Sequence, residues 1–390
     1  MPASIMIGGD IVPTESNRLL FAAGNREELI GRKLKEKLEG ADYTIFNLEA
    51  PLTDIENPIQ KSGPNLMAPT DTIKGLKAIN PHFFTLANNH ILDQGEQGLY
   101  STVNLLKRNG IAHAGTGRNL EEAAQSYIKE INGIQIGIYC CAEREFSIAT
   151  DYLAGANPFD PLESLDHISN LKAETDYVIV LYHGGKEHYR YPSPYLQKVC
   201  RKMTDKGADL VVCQHSHCIG CEEKWNGGRI VYGQGNFLFD HSNSEYWQTS
   251  LLIEVKLVKD ENSHIDDKIV YLPLTKMKNK VRLAEDKQAV EIEKDFRERT
   301  EEIGKLGFVR KNYQVFAKEM QWGYLDAFAG KRTKSLPFRV INKLSGHVYA
   351  KHFLEHSYPT GAKTMLQNFV ECEAHRELLL EGLKGVEAHV

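Results

Sequence analysis

Several absences narrow the function of this 390-residue chain before any motif is considered. No charge of one sign dominates: 47 basic residues stand against 52 acidic ones, for a formal net charge of -5. That balance leaves no overall electrostatic footprint for nucleic acid or an anionic membrane, so no nucleic-acid partner is expected. Long hydrophobic runs are missing too. Stretches such as "DYVIVLY" fall far short of a bilayer span, so no transmembrane segment is expected. The opening "MPASIMIGGD" enters a strand-like segment at once, without the charged start and apolar core of a secretory leader. The seven cysteines, an odd number placed mostly in apolar strand contexts (Cys140, Cys141, Cys213), read as buried thiols. A soluble chain in a reducing cytoplasm is therefore the expectation. Repeats, low-complexity tracts and sustained heptads are lacking, which excludes solenoids and coiled coils. The glycine clusters "MIGGD" and "YGQGNF" lack both dinucleotide-fingerprint spacing and the lysine-serine ending of a P-loop, so they predict tight turns.

What the chain does have is the alternation of an α/β protein. Strand-like runs occur at 4–9, 43–48, 82–87, 134–140, 177–183, 209–214, 229–233 and 250–258, and helical patterns at 26–39, 70–79, 96–109, 160–173 and 193–207. In such folds reactive groups gather beyond the carboxyl ends of strands. Here Asp10, Glu49, Asn88 with Asn89 and His90, His183, and His215 with His217 each follow or end a separate run. Residues 259–284 read as one or two further strands. From 285 the chain turns charged and helical, which divides it into a domain over 1–284 and an accessory helical region over 285–390.

Carboxylate, carboxamide and imidazole groups from separate strands suit borderline or hard divalent ions such as zinc, manganese or iron, and argue against a thiolate-only site. A bridging carboxylate can hold two such ions and so lower the pKa of a shared water. "CIGC" at 218–221 has the spacing of a zinc or redox pair, but no second pair follows, and buried thiols are the better reading. Lone histidines such as His113 and His167 read as structural. The basic, aromatic-bearing stretch 331–352 reads as a solvated helix surface.

The blocks "GGDIVP" (8–13), "NLEAPLT" (47–53), "LANNHILDQGEQGL" (86–99), "HAGTG" (113–117), "YHGGKE" (182–187), "GADLVVCQHSH" (207–217) and "YGQGNFLFD" (232–240) occur in the order of the calcineurin-like metallophosphoesterase plan. They resemble most closely its CapA-type branch, associated with poly-γ-glutamate capsules. This resemblance covers about residues 4–256. It implies an αββα sandwich of two packed sheets, with Asp10 and His217 holding a first metal, Asn89, His183 and His215 a second, and Glu49 bridging. It further implies His90 as a catalytic group oriented by Asp93. Glu187 would be a proton acceptor, and Lys186, Arg190 and Asn236 would contact substrate. Two positions depart from most metallophosphoesterases, which carry a histidine where Val12 stands and an aspartate where Glu49 stands; the CapA-type branch shares both departures. The implied activity is metal-dependent hydrolysis of an amide or phosphoester in an anionic polymer or its small-molecule precursor, through an activated hydroxide. An epimerase using the same metals, and a non-catalytic factor in polymer synthesis or export, are the alternatives.

Overall fold

A computed structural model describes residues 2–240 and 242–384. Two sheets stack face to face. The larger runs, in spatial order, Lys280–Leu283, Ile265–Met277, Thr249–Lys259, Ala3–Val12, Tyr43–Leu48, Phe83–Thr85 and Ala112–Ala114, with Leu238–Phe239 alongside Ala3–Val12. Its centre is parallel, as crossover helices require, and the strands after 249 add antiparallel. The smaller sheet runs Ile219–Trp225, Gly228–Gln234, Leu210–Gln214, Tyr177–His183, Ile134–Ala142 and Tyr127–Ile131.

Alternation of side chains along each strand builds three layers of core from these two sheets. One face of each sheet meets the other: Ile5, Ile45 and Phe83 pack with Ile136, Ile179 and Val212. The outer face of the larger sheet carries Met6, Phe46 and Phe84 against Leu34, Leu76 and Leu99 of the helices Arg26–Glu39, Ile73–Ala78 and Gly95–Arg108. On the outer face of the smaller sheet, Tyr139, Val180 and Val211 pack against Ile168 and Val199 of the helices Ser164–Glu174 and Pro194–Asp205. The result is the four-layer αββα sandwich, followed by helices from Asp286 onward. No helix among the described residues is long and apolar enough to cross a membrane.

The chain divides into compact units at Arg310/Lys311, later than the sequence boundary at 284/285. Composition explains the difference. The helix Asp286–Ile303 is highly charged, yet its Ile292 and Phe296 are buried against Ile219 and Leu251, so its few apolar residues tie it to the sandwich. The second unit is helical among the described residues, beginning within the helix Phe308–Ala329, and in it Phe338 packs on Tyr349 and Phe353.

The glycine clusters are sites of close approach as well as turns. Gly9 lies inside the strand Ala3–Val12, where a Cβ would stand 2.0 Å from the Gly235 carbonyl, and Gly235 has φ +76°. Bare backbone at both positions lets Ile11 pair with Leu238. Asp10 therefore sits within a strand, at a register shift between Ile7 and Asp10.

Six cysteines are buried and Cys372 is partly exposed. Burial pushes the Cys140 thiol up to about 12 and Cys218 up to about 11. Ellman titration of the native protein is thus expected to find Cys372 reacting quickly and the rest only on denaturation. Rapid reaction at Cys218 or Cys221 would instead mark "CIGC" as a working pair.

Candidate metal centre

Five strand ends and the turns beyond them build one buried cluster. Asp10 comes from the strand Ala3–Val12, Glu49 follows Tyr43–Leu48, and Asn89 lies in the turn after Phe83–Thr85. His183 closes Tyr177–His183, while His215 and His217 follow Leu210–Gln214. All six side chains are buried. His215 and His217 hold φ of +86° and +54°, a left-handed conformation costly for side chains with a Cβ, of the kind that collects at functional sites.

The donor set itself tests whether a metal belongs here. Around His183 Nε2 lie Asn89 Oδ1 at 3.1 Å, Glu49 Oε1 at 3.2 Å and His215 Nδ1 at 3.2 Å. These are lone-pair atoms with too few protons to share. Both Glu49 oxygens are buried and find no hydrogen-bond donor among the described residues, an arrangement that is costly unless a cation fills it. Candidate ligand groups are Glu49, His183 and His215 on one side and Asp10, Glu49 and His217 on the other, so Glu49 belongs to both. Neither group contains a cysteine. The residues fit divalent ions, with Glu49 in the shared position. Val12, where a further ligand would stand, packs instead with Ala50, Phe239 and Trp247.

Electrostatics sort the ligands. Burial and the nearby Asp10 charge hold the Glu49 carboxyl well above its usual range. Burial would raise Asp10 as well, but its hydrogen bond to His217 and the neighbouring His183 hold it below the usual carboxylate value. His217 shows the reciprocal balance: burial opposes its charge, yet Glu49 and Asp10 raise it to about 9. Burial pushes His183 down to about 4 and His215 well below the ordinary histidine value, so both offer lone pairs.

Supporting groups place the ligands. Asn47 Nδ2 donates to Asp10 Oδ1 at 2.8 Å and lies 3.2 Å from His183 Nδ1, while Asn88 Nδ2 donates to Asn47 Oδ1 at 3.0 Å. Asn88 Oδ1 also accepts from the His90 backbone N–H at 3.1 Å, which fixes the turn carrying Asn89. Glu145 Oε2 accepts from Asn89 Nδ2 at 3.0 Å, turning the carboxamide oxygen toward His183. Asn236 Oδ1 lies 2.9 Å from His217 Nδ1, and Trp247 stacks on the His217 ring at 4.6 Å.

The residues expected beside the metals divide. His90 Nδ1 meets Asp93 Oδ2 at 2.5 Å, and the buried Lys61 ammonium pairs with Asp93 while lying 3.2 Å from His90 Nδ1. Burial keeps His90 below its ordinary value despite Asp93. Lys186 and Glu187 are half-buried in the loop after His183. Arg190 is differently engaged: its Nη1 donates to the Ile219 carbonyl at 3.1 Å and the guanidinium lies 4.8 Å from the Tyr246 ring centre. Asn236 is a neighbour of a ligand, with its Nδ2 buried and without an acceptor among the described residues.

Sequence reasoning passed over Asn47, Lys61, Glu145 and Trp247. Asn47 was within view, two residues before Glu49 in the same block. Lys61 and Glu145 sit in irregular segments and Trp247 in the single 3-10 turn Glu245–Trp247, with no periodicity to mark them.

A family model described as bacterial capsule synthesis protein PGA_cap matches residues 4–241. The PGA biosynthesis protein CapA of Bacillus subtilis (strain 168) is 32% identical over 226 residues, covering 56% of this chain and 59% of that protein. The capsule biosynthesis protein CapA of Bacillus anthracis is 30% identical over 222 residues, covering 55% and 54%. The chain thus spans a little over half the length of these curated relatives. Among solved structures, a phosphatase of Mycoplasma pneumoniae aligns at 14% identity and TM-score 0.43, covering 70% of this chain and 94% of that one. A 5'-nucleotidase precursor of Thermus thermophilus aligns at 14% identity and TM-score 0.40, covering 76% and 58%.

Proposed function

This chain belongs to the bacterial capsule synthesis protein family, and on that footing we propose that it is a metal-dependent hydrolase acting on an amide or phosphoester of an anionic, capsule-related polymer or its precursor. The observation that carries the reading is Glu49, a buried carboxylate with no hydrogen-bond donor to either oxygen among the described residues, shared by the two candidate ligand groups. A structural metal would need no such shared position, whereas a hydrolytic pair of ions does.

In this reading Asp10, Glu49 and His217 hold one divalent ion, and Glu49, Asn89, His183 and His215 hold another; zinc, manganese or iron fits such donors. Bound there, the ions supply Lewis acidity, making a water nucleophilic near neutral pH and stabilising charge on the electrophile. The remaining work falls to the chain. Asn47, Glu145 and Asn236 keep the ligand side chains aimed. Asp93 holds the His90 Nδ1 proton, leaving Nε2 to hydrogen-bond substrate oxygen or exchange a proton with the leaving group. Glu187 would accept a proton, and Lys186 would offer a cation to an anionic substrate. Arg190 acts instead as a brace for the strand beginning at Ile219.

The test begins with metal content by plasma mass spectrometry on protein purified without chelator, for wild type and an Asn89→Ala/His215→Ala variant. Near-stoichiometric metal lost in the variant is expected. With the ion found, γ-glutamyl amides and phosphoesters are then assayed on wild type and His90→Asn, which is expected to lower kcat about 100-fold or more with metal content unchanged. Metal-free wild type that also refuses added zinc or manganese would overturn the reading. So would turnover that His90→Asn leaves intact.

A further inference from the structure

The candidate ligand groups draw no residue from the basic stretch 331–352. Lys331, Arg332, Lys334, Arg339, Lys343 and Lys351 are its charged residues, with no acidic one, while the rest of the chain holds 41 basic against 52 acidic residues. The sequence suggested a solvated surface with buried stems, but the structure shows apolar side chains pointing outward. In the helix Leu336–Leu344, Leu336, Val340 and Leu344 are 73%, 50% and 82% exposed. Their spacing of four places them on one face, and Ile341 extends it. Phe338, on the other side, is buried and packs against Tyr349 at 5.1 Å and Phe353 at 5.2 Å between ring centres. The helix is thus held by Phe338 with its apolar stripe turned out. Arg339 and Lys343, both exposed and four residues apart, line one edge of that stripe.

The charge pattern selects among occupants. An apolar stripe needs an apolar phase, and the adjoining cations need negative charge beside it. A second copy offering the same face would set Arg339 and Lys343 against themselves. A soluble polyanion would satisfy the cations and leave Leu336 and Leu344 in water. An anionic bilayer supplies acyl chains and phosphate in the geometry that such a helix presents. We propose that the helix Leu336–Leu344 seats this chain on an anionic lipid surface, with Leu336, Val340 and Leu344 in the acyl boundary and Arg339 and Lys343 among the headgroups.

Flotation of the full chain with vesicles tests this directly. Wild type is expected to float with vesicles of mixed phosphatidylglycerol and phosphatidylcholine, to stay behind with pure phosphatidylcholine, and to lose binding as salt rises. Leu336→Ser/Leu344→Ser and Arg339→Glu/Lys343→Glu, all at exposed positions, are each expected to weaken partitioning roughly tenfold or more, with unchanged far-ultraviolet circular dichroism. Three results would overturn the proposal: no flotation with anionic vesicles, flotation that survives both variants, or a vesicle-inert protein that either forms dimers lost in the leucine variant or binds poly-glutamate through Arg339 and Lys343 alone.

Discussion

Metal-stripped protein carrying Glu49→Gln is expected to melt higher than metal-stripped wild type, and to lose most of the stabilisation that added zinc or manganese confers on wild type. The two effects share one cause. Glu49 is fully buried, and both of its oxygens lack a donor among the described residues. Burial and Asp10 hold its folded-state pKa well above the unfolded value. A carboxyl raised in this way contributes stability that is fully present below the unfolded pKa, roughly 4.3, and is lost as pH rises toward the folded one. At neutral pH the group is therefore a net cost without a cation. Glutamine removes the titration, and its amide can donate to His183 Nε2, which lies 3.2 Å from Glu49 Oε1. The gain should be about 1–3 kcal/mol, a rise of a few degrees in Tm for a chain of this size. Metal at a hundredfold excess over Kd should stabilise wild type by about 2.7 kcal/mol, and the variant by much less. Scanning calorimetry with and without metal reads both quantities. A variant that melts lower when stripped and keeps the full metal gain would show that Glu49 is not the shared ligand.

Lys61→Met should be the most damaging substitution outside the ligand set. Lys61 and Asp93 have side chains only 3% and 0% exposed, and they pair directly. Removing the cation strands a buried carboxylate, a loss of about 3–5 kcal/mol. His90 Nδ1 and the Leu66 N–H, which also contact Asp93, place the cost toward the lower end of that range. Lys61→Met/Asp93→Asn, which leaves no charge to strand, should recover much of the loss. Urea midpoints at constant m-value measure it. The local consequence is distinct. Asp93 and Gln94 anchor the irregular segment 54–68 through Leu66 N, Ile59 N and Asn57 N. Lys61→Met should therefore open that segment to limited proteolysis before the sandwich unfolds. A cost below about 1 kcal/mol would mean that the buried pair is not formed in solution.

The helix Asp286–Ile303 shows where reading the sequence reaches its limit. Its charge pattern reads as accessory, and the burial of Ile292 and Phe296 against Ile219 and Leu251, with Ile303 in the core over the smaller sheet, assigns it to the sandwich. Three buried apolar residues spread over such a helix are too weak a stripe to reveal which surface they cover. Arg190 carries the same lesson at the level of one side chain. Its position in the loop after His183 suggested a substrate contact, and only the structure shows that it also engages the Ile219 carbonyl and the Tyr246 ring, each distant in sequence.

The strand pattern by itself determined the α/β architecture and gathered the candidate metal-binding residues, because alternation marks where each strand ends and Asp10, Glu49, Asn89, His183, His215 and His217 lie at or beside those ends. Local periodicity is written in consecutive residues, so it survives in one dimension. Tertiary structure alone decided that Lys61 meets Asp93, that Glu145 turns Asn89 and that Trp247 covers His217. Those contacts join irregular segments brought together only when two sheets pack, and pairing across that distance depends on stacking geometry that no local pattern records.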